Sequence, residues 1–266
     1  MRMTLAVGRT TSRPAPASII RCVGVKKAFG SQQVLNGVDC EIPEGEISAI
    51  MGPSGTGKSV LLRHFVGLLM PDAGDVIVDG RHVPRLREHE LLELRRNMGL
   101  LFQDGSLFSS MSLYDNVAFP LRQHTRKSES EIREIVLDRL AHVGLAGVEE
   151  RMPSELSGEM RRRAGLARAL VLEPKILLFD KPDSGLDPVR TAPLCELIAK
   201  IQRRYRLTAV VTSHDTRAVF GIADRVILMH RGRVVDQGSK EQIRRSDRQF
   251  TQQFISRAVE GPEVLE

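Results

Sequence analysis

The sequence predicts an α/β fold: a parallel-sheet core that begins with a β-rich region and is interrupted by a mainly helical insert. Two observations carry this reading. Beyond Pro174 an apolar strand, a helix and a second apolar strand follow one another, the order that builds a parallel sheet. Upstream, the apolar run 47–51 leads into a glycine-rich turn and then a helix-forming stretch from Lys58, and that strand–turn–helix unit is a recurrent part of such cores.

The elements follow in order. Residues 1–18 mix Arg, Ser, Thr and Pro without the apolar core of a cleavable leader, and read as a disordered tail. Residues 19–25 and 41–50 are strand-forming, punctuated by turn-formers at Gly30-Ser31 and Pro43-Glu44-Gly45. From Ser128 the period changes: Ser128 and Glu131 make a capping box, and Ile132, Ile135, Val136, Leu140 and Val143 recur at helical spacing. The helical insert covers about residues 104–164. Residues 176–179 form a strand, Asp187 as N-cap and Pro188 at the first helical position open a helix, and residues 209–212 form the next strand. A hairpin turns at Arg231-Gly232, and a polar helical tail closes the chain from residue 241.

Composition narrows the class. The chain has 266 residues, 41% of them hydrophobic, enough for a sizeable core. Its apolar runs are far shorter than the ~20 residues of a membrane-spanning helix, so any membrane role is peripheral. Cys22, Cys40 and Cys195 lie far apart in sequence, which argues against a zinc site and against a secreted disulfide framework. The net charge of +6 suits an anionic partner. The arginine clusters at 161–163, 203–206 and 244–248 read as solvated helix faces, and no nucleic acid is expected.

The chemistry is concentrated in a few stretches. Gly52, Pro53, Ser54, Gly55, Thr56, Gly57, Lys58 and Ser59 fit the phosphate-binding loop pattern in its required context. Glycines let the backbone N–H groups face phosphate, Lys58 neutralises the β and γ oxygens, and the Ser59 hydroxyl suits Mg²⁺. Asp180 ends an apolar strand, where its carboxylate can hold the metal's water shell opposite the loop. ATP and Mg²⁺ are the ligands expected.

Residues 156–160, Leu-Ser-Gly-Glu-Met, resemble the signature sequence of ABC transporter ATPases, with Ser157, Gly158 and Glu159 in its nucleotide-facing positions. Gln103 resembles the glutamine that senses Mg²⁺ and the membrane partner, Asp187 lies in a stretch like the D-loop, and His214 resembles the switch histidine. Phe29 sits where an aromatic residue stacks on adenine. The resemblance covers residues 19–240 and implies a P-loop NTPase (RecA-like) core with an antiparallel β region and an inserted helical signature subdomain. Residues 101–108 and 114–122, with Met160, look like the ATPases of MCE-type lipid transporters. That implies a second ATPase subunit, most simply a homodimer, a membrane permease and MCE substrate-binding proteins, with this chain on the cytoplasmic face of the inner membrane. Metal contacts implied are Ser59, Gln103 and Asp180.

Two positions depart from the pattern. Lys181 stands where the family carries the glutamate that activates water, and an ammonium cannot accept that proton. Glu159 replaces the second signature glycine, adding bulk and negative charge where the backbone approaches the opposing subunit's nucleotide. The sequence therefore leaves open a slow ATPase, a non-catalytic subunit paired with a competent cassette, and a charge pair between Lys181 and Glu159 across the dimer. A soluble cassette of DNA repair or translation is disfavoured, because neither a long coiled-coil insertion nor a second cassette is present.

Overall fold

The computed structural model describes residues 17–102, 105–185, 188–213 and 216–257, with the backbone alone for 188–190, 216–218 and 257. Of the expected tail, residues 1–16 lie outside the described residues, and the first strand already begins at Ser18.

Two sheets organise the chain. The first is antiparallel, in the order β2-β1-β4-β5, from β1 (Ser18–Phe29), β2 (Gln32–Pro43), β4 (Ala73–Val78) and β5 (Arg81–His82). The second has six strands in the order β10-β9-β3-β8-β7-β6. Its members are β3 (Ile47–Met51), β6 (Met98–Leu101), β7 (Ile176–Asp180), β8 (Thr208–Ser213), β9 (Arg225–His230) and β10 (Arg233–Ser239). All its pairings are parallel except the β9–β10 hairpin at the edge.

Strand periodicity divides the core. Along β7, Leu177 and Phe179 join one apolar cluster while Ile176 and Leu178 join the other. A strand buried on both faces reads as a continuous apolar run, as β7 does. The first cluster packs beneath α3 (Leu113–His124), α4 (Glu129–His142), α5 (Gly158–Leu170), α6 (Pro188–Tyr205) and α7 (Thr216–Ile222). The second joins the antiparallel sheet to α1 (Lys58–Phe65) and α2 (Glu88–Arg96). Two short helices, α8 (Lys240–Arg244) and α9 (Gln249–Arg257), close the described chain, and Phe250 of the supposedly polar tail packs on the first cluster.

Helix starts follow local chemistry. Ser128 and Glu131 make the expected reciprocal cap of α4. Ser112 caps α3 by accepting from the Asp115 N–H at 3.0 Å. Cys22 and Cys40, eighteen positions apart in sequence, are direct cross-strand neighbours in β1 and β2; both are buried free thiols.

Candidate functional site

The phosphate loop joins β3 to α1, and its glycines are dictated by space. Gly52 has φ +145°, and a Cβ there would lie 2.1 Å from the Met229 carbonyl oxygen. Gly57, left-handed at φ +96°, caps α1, and its Cβ would meet Leu35 Cδ2 at 2.7 Å and Val34 O at 2.9 Å. Only glycine fits either position.

Lys58 opens α1 with its ammonium folded into the loop, donating to Gly52 O at 2.6 Å and Pro53 O at 2.7 Å. Thr56 Oγ1 also donates to Pro53 O, at 3.0 Å. Burial first, then the charge of Lys181, push the Lys58 pKa down to about 8, against an upward pull from Asp180 and Asp183. An ammonium so held is primed for an anion, because phosphate would supply the counter-charge that burial withholds.

Across from the loop, Asp180 ends β7. Its Oδ1 accepts from Ser59 Oγ at 2.6 Å and from Thr212 Oγ1 at 2.9 Å. A hydroxyl and a carboxylate side by side are hard oxygen donors that fit Mg²⁺, which takes few protein ligands and completes its shell with water and phosphate. Bound Mg²⁺ would supply charge neutralisation for the phosphates, with Ser59 and Asp180 as its protein contacts. Gln103, also expected there, lies outside the described residues, as do Asp187 and His214.

The turn after Asp180 is tightly fixed. Lys181 takes a left-handed φ of +49°, and its N–H is shared between Thr212 O at 3.1 Å and Thr212 Oγ1 at 3.0 Å. Its carbonyl accepts from the Ser184 N–H at 3.1 Å. Asp183 Oδ2 accepts from Ser213 Oγ at 2.6 Å, while Oδ1 is enclosed and has no hydrogen-bond partner among the described residues. Thr212 and Ser213 were not singled out by sequence; the only signal is that polar residues end the apolar strand β8 nearest the loop.

Phe29 ends β1 at the hairpin, 47% exposed, with Lys27 Nζ 5.7 Å from its ring centroid. It is therefore open to stacking. The signature residues lie elsewhere, at the start of α5. Ser157 caps that helix through the Met160 N–H at 3.2 Å, and Glu159 pairs with Arg163 one turn on, at 2.6 Å. The hydrogen bonds of Ser157 and Glu159 thus run within their own helix.

The arginines at 161–163 are not a solvated face. Arg161 donates to Leu156 O at 2.6 Å, Arg162 to Ser184 O at 2.5 Å and Arg163 to Val143 O at 3.2 Å. Each guanidinium satisfies a carbonyl at a loop or helix end, and Arg162 ties α5 to the turn that carries Lys181. Nearby, an apolar groove of about 380 Å³ runs between β6, α3 and α5, lined by Phe102, Phe108, Phe119, Pro120, Arg168 and Leu172 among others. Among the described residues, no helix is long and apolar enough to cross a membrane.

Comparison with known proteins agrees with this geometry. The profile of the family described as "ABC transporter" matches residues 35–184, more than half of the chain. A Mycobacterium tuberculosis protein named "Probable ribonucleotide transport ATP-binding protein mkl" is 49% identical over 239 residues, covering 90% of this chain and 67% of that one. The Haemophilus influenzae "Intermembrane phospholipid transport system ATP-binding protein MlaF" is 43% identical over 233 residues, 88% of each chain. Among solved structures, cbiO1 from Clostridium perfringens, part of the ABC transporter complex cbiONQ, superposes with a TM-score of 0.80 at 30% identity, over 91% of this chain and 94% of that one. The dimeric ABC transporter cassette MJ0796 gives a TM-score of 0.76 at 31% identity, over 83% and 98%.

Proposed function

The chain belongs to the ABC transporter family, and from that premise we propose that it is the ATP-binding subunit of an MCE-type lipid transporter, powering transport by ATP-driven dimer closure with slow hydrolysis. The observation that carries the reading is the joined pair of phosphate-site elements: Lys58 in its glycine loop, and Ser59 bonded to Asp180 across from it at 2.6 Å. Closure places the signature of one subunit, Ser157, Gly158 and Glu159, over the nucleotide held by the other, with Phe29 against the adenine. Gln103, Asp187 and His214 complete the site by resemblance.

One surface feature supports the proposed partners. The groove beside Phe102 and Phe108 is apolar and open, with Phe108 44% exposed. Its lining residue Phe102 precedes in sequence Gln103, which resembles the glutamine that senses the membrane partner, and the groove suits a cytoplasmic segment of the permease. A second copy of the chain, the permease and MCE substrate-binding proteins make up the assembly, with this subunit peripheral on the cytoplasmic face of the inner membrane. The names of the relatives divide between ribonucleotide and phospholipid transport. We favour lipid because the phospholipid relative matches along 88% of its own length, against 67% for the other. Lipids or nucleotides extracted from the purified membrane complex decide between them.

Slow hydrolysis rests on Lys181. Removing a positioned general base typically lowers the rate by ~10²–10⁴-fold, and Asp183 is a poor substitute because both its carboxylate oxygens are taken up or enclosed, Oδ2 by Ser213 and Oδ1 without access among the described residues. The test is steady-state phosphate release by the purified subunit, the Lys181→Glu variant and Lys181→Glu with Glu159→Gly. Turnover should rise on Lys181→Glu and further in the double variant. A wild-type turnover of several per second would overturn the claim. The alternative, a non-catalytic subunit beside a competent cassette, is favoured by the same two residues. It predicts turnover only in the co-expressed complex, lost when the partner cassette carries the loop-lysine substitution.

A further inference from the structure

Two lysines flank the candidate phosphate site in this chain. Lys58 lies in the loop, and Lys181 follows directly on Asp180, whose carboxylate is bonded to Ser59, the neighbour of Lys58. The Cα of Lys181 is held by the two bonds of its N–H to Thr212 and by the Ser184 N–H on its carbonyl, so the side chain springs from a fixed point at the tip of β7. Among the described residues no carboxylate pairs with it. Asp180 Oδ1 is engaged by Ser59 and Thr212, and Asp183 Oδ2 by Ser213. Like charges brought near one another repel unless an anion joins them, and the Lys181 charge, second to burial, lowers the basicity of Lys58.

We propose that Lys181 is a second phosphate-binding cation, which contacts the terminal phosphate of a nucleoside triphosphate and lessens the site's dependence on a divalent ion. The inference rests on the reading that the loop binds ATP. Its chemistry is that of charge substitution. A glutamate here adds a negative charge beside the triphosphate, which Mg²⁺ must offset, whereas a lysine adds a positive one and takes over part of that work. Lys181 also discriminates by length, because Lys58 reaches the β-phosphate that ATP and ADP share as well as the γ, while Lys181, beyond Asp180, serves the γ-phosphate alone. The residue whose arrival removes the base thereby stabilises the unhydrolysed nucleotide.

Calorimetric titration of the full chain with ATP and with ADP, each in Mg²⁺ and in EDTA, tests this in the wild type, Lys181→Gln, Lys181→Arg and Lys58→Ala. The wild type should keep its ATP affinity in EDTA within about tenfold of that in Mg²⁺. Lys181→Gln should weaken ATP binding in EDTA by about ten- to a hundredfold, the range for a lost charged hydrogen bond, and leave ADP binding nearly unchanged. Lys181→Arg should retain the wild-type pattern. The inference is overturned if Lys181→Gln binds ATP in EDTA as the wild type does, or loses ATP and ADP equally. Lys58→Ala serves the underlying reading. If it binds as well as the wild type, the loop is not the nucleotide site; if it loses binding while Lys181→Gln does not, the loop stands and the second cation falls. Melting temperatures within a few degrees of the wild type show that the Lys181 variants remain folded.

Discussion

The phosphate loop and the signature stretch are both glycine-bearing turns onto a helix, yet the fold treats their glycines differently. At Gly52 an added carbon would sit 2.1 Å from a backbone oxygen, whereas at Gly158 the nearest atom is the mobile end of Arg161, 3.8 Å away. The loop's glycines are required by its own chain. Among the described residues nothing requires glycine at the signature, and Glu159, one position on, is accommodated by pairing with Arg163. On the proposed function, the demand for glycine there comes from an opposing nucleotide. On that reading a departure at the signature should be silent in the monomer and felt only on closure, while one in the loop should be felt at once.

The same substitution made in both places gives the largest contrast. Gly52→Ala forces a clash against Met229 O and should cost about 2–4 kcal/mol, lowering the melting temperature by about 5–15 °C. It should also abolish ATP binding, because Lys58 hangs on the Gly52 carbonyl. Gly158→Ala sits in the first turn of α5, where the added carbon meets only side-chain ends at ordinary contact distance, and should change stability by less than about 1 kcal/mol. Thermal melts and nucleotide titration check both. Equal destabilisation would break the distinction between an internal and an external requirement.

How much was legible in the sequence follows the same division. The loop, the β7 carboxylate and the α4 cap were readable because each is written in consecutive residues. Thr212 was not, because it meets Asp180 and Lys181 across more than thirty positions of chain. The β6 strand was missed because it spans only four residues and depends on Gly99, where a Cβ would lie 2.4 Å from Leu177 Cδ2. The neighbouring thiols of Cys22 and Cys40 were hidden because the hairpin between them is long and its register is broken by bulges. The Glu159–Arg163 pair was within reach, at ordinary i,i+4 spacing. Its neglect made the carboxylate look more repulsive than the structure shows.

A dimer-level measurement sharpens the comparison further. If Lys181 of one subunit approaches Glu159 of the other on closure, a double-mutant cycle on ATP-induced dimerisation with Lys181→Ala and Glu159→Ala should give a coupling of roughly 0.5–3 kcal/mol. Arg163 competes for the same carboxylate within its own subunit, so Arg163→Ala should enlarge the coupling. In the monomer, Arg163→Ala removes a half-exposed pair and should cost only about 0.2–0.5 kcal/mol from that contact. Additive single effects would mean that the two charges act separately.

The smallest expected effect is a proton. With its pKa near 8, set by burial and then by Lys181, the Lys58 ammonium is largely intact at pH 7 and largely lost by pH 9 in the free chain. Phosphate binding favours the ammonium and raises that pKa, so ATP should draw nearly one proton from solvent at pH 9 and about a tenth of one at pH 7. The sign follows from the direction of the shift: the Lys58 contribution to affinity should be level below pH 8 and fall as pH rises beyond it, by at most about tenfold per unit. Above pH 8 the triphosphate is itself fully ionised, so the protein group is the one that titrates. Calorimetry in two buffers of different ionisation enthalpy reads the proton count directly. Lys181→Gln deletes the second cause of the shift and leaves burial, so the onset of proton uptake should move to higher pH without reaching that of a free lysine. An onset unmoved by Lys181→Gln would place the Lys181 ammonium too far from the loop to share a phosphate with Lys58.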